Sequence, residues 1–249
     1  MPQTVHLFSQ AFHQKYRRLP VWLPGSGMSV GDVGLLHDDR TWTKLLRLAD
    51  LGVNTTAEPE PAPALTYSDV GGKTTRVAAR MSGSGPAEIP GIPEGQFGIH
   101  AQFDEAAAFV FEAADCLVTR LAGVYDAEEQ LKFLYATSAR WQTNWVYVAE
   151  VLTAEKFFLA VSQGSHGEVS IALGADATSA SIGSLKASAQ IGVRTDTVQS
   201  FYSASRTPVM YRARSLRRRH FGNASFQDSI SRMSEEEVSE RLIFEDVTA

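Results

Sequence analysis

Few residues of this chain have the types and spacing that catalysis or metal binding requires. Of the six histidines, no two stand at the HxxxH spacing that places two ligands on one helix face. No GxxxxGK[ST] phosphate-binding loop occurs, and Gly25, Gly27 and Gly31 lack the spacing of a dinucleotide-binding loop. The sequence therefore predicts no cofactor and no metal site.

Two side chains remain as candidate nucleophiles. Ser165 lies in a glycine-rich stretch, but Gln163 stands where a nucleophile elbow requires glycine, so a hairpin turn explains the stretch better. Cys116 has no neighbouring histidine or basic residue that would lower its pKa and make it reactive. Neither residue predicts nucleophilic catalysis.

Acid–base chemistry also has little support. Glu128 and Glu129 open a predicted helix, where carboxylates suit the helix dipole and need no catalytic role. We therefore expect a protein that is not an enzyme. Loss of a defined turnover on mutation of His100 or His166 would favour the enzyme alternative.

Basic residues are concentrated in two places, near the end of a predicted first helix and before the carboxy-terminal 29 residues. Such clusters favour anionic lipid surfaces, at about 1 kcal/mol for each Lys or Arg near the membrane. They could equally be solvated faces or partners of an acidic segment. Because the net charge of the chain is −5, a dedicated nucleic-acid binder is not expected. The candidates for lipid contact are Lys15, Arg17, Arg18, Arg212, Arg214, Arg217, Arg218 and Arg219.

Residues 221–249 form an acidic tail with seven acidic residues against two arginines, so the other 220 residues are neutral in sum. Ser234 and Glu237 have the spacing of a capping box, and Val238, Leu242 and Phe244 give the predicted helix an apolar stripe. A basic run followed by an acidic tail can fold back on itself. We expect Val238 and Leu242 to hold an inhibitory tail in place, and an ordinary solvated helix is the alternative.

Composition places the chain among globular proteins of a reducing compartment. Hydrophobic residues make up 44% of the chain, enough for a sizeable core, and Cys116 is the single cysteine, so no disulfide is expected. Residues 1–10 lack the pattern of a secretory signal, and no apolar run approaches the roughly 20 residues of a membrane-spanning helix. We expect a cytoplasmic protein in its inactive state.

The hydrophobic pattern of the first 143 residues predicts both helices and strands. Apolar residues recur at helical spacing in two places, while alternation and β-prone composition mark four extended segments. A proline-rich loop is expected at 55–65, and a second long loop at 82–95. The predicted helices are 4–18 and 126–143, and the predicted strands are 30–36, 42–48, 97–103 and 109–114.

Residues 145–193 are the strongest β region. Extended segments are predicted at 145–152, 156–162 and 168–173, and a helix is predicted to follow at 196–205. Strict alternation over nine residues is typical of a strand that spans a tilted bilayer, and also of a half-buried strand in a soluble antiparallel sheet. Together the pattern predicts an α+β fold with a twisted, mostly antiparallel sheet and packed helices. The apolar positions of that alternating strand are Leu185, Ala187, Ala189, Ile191 and Val193.

The stretch from Trp141 to Lys156, WQTNWVYVAEVLTAEK, resembles the pore-forming amino-terminal domain of gasdermins, in which a helix leads into a similar strand and then a hairpin. The order of elements over most of residues 1–220 is similar to that domain. Only about 29 residues follow, which is closer to bacterial or fungal gasdermin-like proteins than to mammalian ones. Bacterial members often carry a lipidated cysteine near the amino terminus, and this chain has none there.

The resemblance implies a mechanism. Residues 1–220 would be a pore-forming domain, and residues 221–249 an inhibitory tail that is cut by a protease or displaced by a partner protein. The soluble form would be a monomer or small oligomer. Activated copies would bind anionic lipid at the inner face of the cell membrane, extend hairpins from segments around 66–111 and 156–194, and oligomerise as a large β-barrel pore. Membrane permeabilisation and cell death in defence would follow. The alternative is a non-enzymatic binding or regulatory module of the same fold that does not insert.

Overall fold

The computed structural model describes residues 2–22, 27–38, 40–60, 65–71, 76–81, 97–138, 140–172, 190–193, 198–218 and 242–247. These residues form helices α1 (Pro2–Tyr16) and α2 (Val124–Ser138), a short 3₁₀ helix (Leu48–Leu51) and antiparallel strands. The predicted α+β class is confirmed. The strands are β1 (Leu19–Pro20), β2 (Asp32–Leu36), β3 (Trp42–Arg47), β4 (Thr56–Pro59), β5 (Leu65–Gly71), β6 (Arg76–Met81), β7 (Phe97–Phe103), β8 (Phe109–Ala122), β9 (Val146–Ala154), β10 (Lys156–Ser162), β11 (Gly167–Ala172), β12 (Gln190–Val193), β13 (Val198–Ser203), β14 (Thr207–Arg218) and β15 (Leu242–Asp246).

The larger sheet has the strand order β1-β14-β9-β8-β10-β13 along its main path. Beside this path, β2 pairs with β9, both β4 and β5 pair with β8, and β15 pairs with β14. Strand β3 pairs with β2. The long strand β8 is central to the sheet, because it pairs with β9 through its carboxy-terminal half and with β10 through its amino-terminal half. Strand β14 joins the two ends of the chain, since it pairs with both β1 and β15.

The smaller sheet has four strands in the order β12-β11-β7-β6. Strands β6 and β7 pair with each other, β11 and β12 do the same, and the β7–β11 ladder joins the two pairs. Ile99, Ala101 and Phe103 of β7 are buried on one face, together with Val169 and Ile171 of β11. Because these residues alternate with polar ones, each strand has one apolar and one polar face.

Helix α1 covers the larger sheet with an aromatic stripe. Phe8 and Phe12 are fully buried, and they pack edge-on against Phe109 and Phe111 of β8 with ring centroids 5.0–5.1 Å apart. Tyr16, one turn further along, contacts Tyr67 of β5 at 5.6 Å. The helix predicted for 4–18 is confirmed, two residues earlier at each end, and its aromatic residues share one face because residues four apart lie one above the other on a helix.

Residues 198–203 form strand β13, so the helix predicted for 196–205 is wrong. Val198, Phe201 and Tyr202 have helical spacing, but β13 instead pairs with β10 in a six-residue register. Pairing with β13 satisfies the backbone groups on that edge of β10, which the sequence pattern alone does not reveal. Tertiary context therefore overrides the local period here.

Other boundaries differ more modestly from the sequence-based expectations. Helix α2 begins at Val124 and ends at Ser138, five residues before the predicted end, and Trp141, three residues beyond it, is buried. The predicted loop at 55–65 contains β4, whose four exposed residues pair with the end of β8. Strand β8 extends eight residues past the predicted end at 114. The predicted long loop at 82–95 lies outside the described residues.

Candidate functional site

The predicted lipid-contact residues at the end of α1 lie at a junction between α1, β5 and β14. Lys15, half-exposed, forms an ion pair with the buried carboxylate of Asp69 in β5. Arg17 has a left-handed backbone conformation (φ 53°), and its carbonyl accepts a hydrogen bond of 3.2 Å from Arg212 Nε. The structure thus brings the first basic cluster together with Arg212 of the second, as the sequence could not show.

Glu150 lies at the centre of a group of basic residues beside this junction. It is directly opposite Arg120 of β8 on one side and Arg212 of β14 on the other. Arg120 Nε donates to Glu150 Oε2 at 2.7 Å, and Arg18 Nε donates to Oε1 at 2.5 Å. Arg212 Nε stands 3.8 Å from Oε1. Three guanidinium groups therefore surround one carboxylate that is only 3% exposed.

The protonation of Glu150 follows from this environment. Burial by itself would raise the pKa of its carboxyl, but the hydrogen bond from Arg120 and the charges of Arg18 and Arg212 outweigh burial and lower that pKa. The carboxylate is thus ionised at neutral pH. A further carboxylate, the partly exposed Glu60, has its Oε1 3.1 Å from Arg120 Nη1. Two carboxylates therefore face three arginines, and one positive charge remains in excess.

A second buried carboxylate, Glu128, contacts both Tyr147 and Arg214. Tyr147 donates to Glu128 Oε1 at 2.7 Å, and Arg214 Nη1 stands 2.6 Å from the same oxygen. Burial raises the pKa of Glu128, while the hydrogen bond from Tyr147 and the charge of Arg214 act in the opposite direction. The sequence suggested a helix-dipole role for Glu128. In the structure it instead positions Arg214.

The last described segment is β15, which lies along the outer edge of β14. Residues 242–246 pair in register with 218–214, and the amide of Val247 donates to the carbonyl of Ala213 at 2.8 Å. Arg214 Nη2 donates to the carbonyl of Phe244 at 2.9 Å, and Arg214 Nε is 3.5 Å from Asp246 Oδ1. The basic run and the acidic tail therefore do contact each other.

Leu242 lies in a strand, so the predicted helix is wrong at this residue. The residue that anchors the segment is Phe244, which is buried between Trp141 and Tyr147 at ring-centroid distances of 6.0 and 5.6 Å. Leu242 is opposite Arg218 in the register, and Val238 lies outside the described residues. A strand forms here because the free edge of β14 offers backbone partners that an isolated helix could not use.

The structure describes some of the remaining predicted site residues, and the others lie outside the described residues. Arg217 and Arg218 lie in β14 opposite Ile243 and Leu242, whereas Arg219 is outside the described residues. Of the predicted inserting strand, Ile191 and Val193 lie in β12, at the register positions opposite Ile171 and Val169 of β11. Leu185, Ala187 and Ala189 lie outside the described residues.

The structure describes the surroundings of the residues that were considered for catalysis. Burial raises the pKa of the Cys116 thiol to about 12, which leaves it unreactive at neutral pH. His100 Nδ1 and Ser170 Oγ are 2.9 Å apart on neighbouring strands, and His166 lies in the turn before β11 with φ 65°. Within the described ranges, no group of three metal-ligating side chains comes together.

Sequence reasoning missed Glu150, Arg120 and Asp69. One signal was present, because Glu150 is a lone charge within the apolar run VYVAEVL. A charge in a buried strand must be paired, so that run already implied a basic partner. Nothing local indicated that the partners would be Arg18 and Arg120, which are 132 and 30 residues away in the chain.

Comparisons with known proteins do not identify a family for this chain. Neither the models of protein families nor the curated proteins give a match. Among the described residues, no helix is both long and apolar enough to cross a membrane.

Proposed function

We propose that this chain is an autoinhibited pore-forming protein of gasdermin type. Activated copies bind anionic membranes, oligomerise and insert amphipathic β-hairpins, which permeabilises the membrane and kills the cell in a defence response. The observation that carries this proposal is the four-stranded sheet β12-β11-β7-β6, in which two antiparallel strand pairs lie side by side and the central strands β7 and β11 bury apolar residues on one face.

The apolar face of this sheet is suited to transfer from the protein core to lipid. Ile99, Ala101 and Ile171 are fully buried in one hydrophobic cluster that also contains residues of β8, β10 and β13, namely Val110, Phe158 and Val198. An alternating strand can transfer such a face from the protein core to lipid while its polar face stays in water. Both strand pairs fall within the segments that the resemblance assigns to the inserting hairpins.

The cation-rich face around Glu150 supports the proposed lipid contact. Lys15, Arg120 and Arg212 are each at least 37% exposed at their side chains, so they can reach an anionic surface while staying near their carboxylate partners. Arg18 and Arg214 are more deeply buried in ion pairs. They would contribute to lipid binding only after those pairs break.

The docked strand β15 supports autoinhibition. It covers the edge of β14 next to β1, and Asp246 neutralises part of the charge of Arg214. A free strand edge is a template for pairing with another chain. A tail on this edge therefore blocks one route to oligomers.

Dye release from vesicles tests the proposal. A specific protease site is placed between residues 221 and 241 of the full chain, so that the protein folds with its tail and is cut afterwards. We expect release from anionic vesicles after cutting, and little release from neutral vesicles or from the uncut chain. Release by the uncut chain would remove the inhibitory role of the tail.

Two lysine substitutions in β12 separate insertion from general destabilisation. Ile191→Lys places a charge on the proposed lipid face, at about 2–4 kcal/mol per copy near the bilayer centre, and should abolish release. Gln190→Lys changes the next residue, which faces the opposite side of the strand, and should preserve release. Equal release by both variants, with both folded, contradicts an inserting role for this strand.

A non-enzymatic binding module is the second candidate function. It is favoured by one observation: several predicted lipid-contact arginines already have carboxylate partners at Glu150 and Glu128. Silence of the cut, folded chain on anionic vesicles would support this module over the pore.

A further inference from the structure

The surface that binds β15 has the parts of a peptide-recognition groove. We call it the tail groove and define it as the outer edge of β14 from Ala213 to Arg218, with a pocket formed by Trp141, Tyr147 and Leu216. The strand edge supplies backbone partners for an extended chain. The pocket takes the aromatic ring of Phe244, and the guanidinium of Arg214 faces the carboxylate of Asp246.

The groove is fixed by contacts that do not involve β15. Glu128 on α2 accepts from Tyr147 on β9 and pairs with Arg214 on β14, so three different elements position the guanidinium. The rings of Trp141 and Tyr147 lie 6.4 Å apart, and Trp145 packs edge-on against Trp141 at 5.7 Å. Such a preformed site loses little conformational freedom when a ligand binds.

The chain's own strand fits this groove incompletely. Arg214 Nε is 3.5 Å from Asp246 Oδ1, beyond the 2.7–2.9 Å of a good charge-assisted hydrogen bond. The buried atoms Arg214 Nε and Trp141 Nε1 have no hydrogen-bond partner within the part of the chain that the structure describes. Because unsatisfied buried polar groups cost free energy, a better-fitting strand could replace β15.

We propose that the tail groove recognises an extended segment of a partner protein, with an aromatic residue at the position of Phe244 and a carboxylate two residues further on, which enters by displacing β15. Residues two apart share one face of a strand, so the ring enters the pocket while the carboxylate reaches Arg214. A glutamate at the second position is one methylene longer than Asp246 and can close the gap to Nε. Release of the tail by this route would activate the protein without proteolysis; that consequence rests on the proposed pore function, but the binding does not.

Binding of a labelled peptide tests the inference. The probe is the hexapeptide Leu-Ile-Phe-Glu-Asp-Val, a copy of residues 242–247, and the readout is fluorescence anisotropy with the full-length chain. The tethered strand competes at an effective concentration on the order of 1 mM. We therefore expect binding at least about 10-fold tighter to Phe244→Ala chains than to the unmodified chain. Asp246→Lys provides a second weakened tail at an exposed residue, in case Phe244→Ala does not fold.

Variants of the peptide probe recognition without disturbing the protein. Changing the peptide's Phe to Ala should weaken binding by roughly 10-fold or more, and Asp to Asn should weaken it because the pair with Arg214 is lost. Asp to Glu should strengthen binding. The matched control is Glu to Gln, which removes the same charge from the opposite face of the strand and should leave the affinity unchanged.

Several outcomes would overturn the inference. Equal affinity for all peptide variants, or no binding to either weakened chain, would show that the groove does not read this pattern. Concentration-dependent dimers of the unmodified chain that the peptide dissociates would assign the groove to a second copy instead. The assay contains no membrane, so failure of the vesicle experiment would remove the pore proposal and leave the groove result intact.

Discussion

Glu150 lies in the middle of β9, where both neighbouring strands present an arginine to it. Removing the charge of a buried carboxylate leaves its partners without compensation, which is costly even where the intact pair adds little net stability. Here Arg18 is the most affected partner, since its side chain is only 13% exposed. Glu150 therefore joins the bend after α1 to β8 and β14 through one carboxylate.

The first prediction concerns Glu150→Gln. We expect the free energy of unfolding at pH 7 to fall by about 1–3 kcal/mol, because two charge-assisted hydrogen bonds weaken. The matched control is Glu155→Gln, whose carboxylate pairs with Arg206 at the surface and should change stability by less than about 1 kcal/mol. Urea unfolding followed by tryptophan fluorescence measures both. Equal effects would contradict a special role for Glu150.

The pH dependence of stability provides a second prediction at the residue scale. The pKa of Glu150 is lower in the folded chain than its ordinary value of 4.5. Its contribution to the free energy of unfolding is therefore complete above about pH 4.5 and is lost as the pH falls through the folded-state pKa. Unfolding midpoints measured between pH 7 and pH 3 should fall less steeply for Glu150→Gln than for the unmodified chain. Parallel curves would contradict this assignment.

Helix α1 covers the part of the larger sheet where Phe109 and Phe111 of β8 lie. Its buried stripe packs on β8, while its outer face exposes Leu7. We expect Phe12→Ala to lower the free energy of unfolding by about 3–5 kcal/mol, since a fully buried ring is removed. Leu7→Ala, on the same helix, should change it by less than about 1 kcal/mol. Chemical unfolding of both variants measures the contrast, and a small effect of Phe12→Ala would show that α1 packs weakly.

At the scale of the whole molecule, strands β1 and β15, the first and the last described strands, both pair with β14. Strand β1 pairs with Met210 and Tyr211, and β15 begins to pair three residues further on at Arg214. The edge of the larger sheet is thus covered by two separate pieces of chain. We expect removal of one piece to expose part of the β14 edge while the pairing of β8 with β9 is kept.

This arrangement predicts a local change in amide hydrogen exchange. After a cut between residues 221 and 241 and removal of the released tail, exchange should increase at residues 213–218, because their backbone partners are lost. Exchange in β8 and β9 should change little, since both strands remain paired. Mass spectrometry of peptides from the cut and uncut chains distinguishes the regions. A uniform increase across all strands would indicate that β15 stabilises the whole fold instead.

Much of the architecture follows from local pattern. The stripe of α1, the apolar face of α2 and the extended segments from Val146 to Ala172 were all predictable, because an element with one buried face repeats its apolar residues at its own period. The class of the fold was predictable for the same reason.

The sequence by itself determined which segments carry apolar faces and where the positive and negative charges are concentrated. Only the tertiary structure decided that β13 and β15 are strands, and that Glu150 and Glu128 organise the arginines. These outcomes depend on partners far away in the chain: β10 for β13, and β14 for β15. Local period reflects the geometry of one element, whereas backbone pairing and the compensation of a buried charge are satisfied only when distant segments meet.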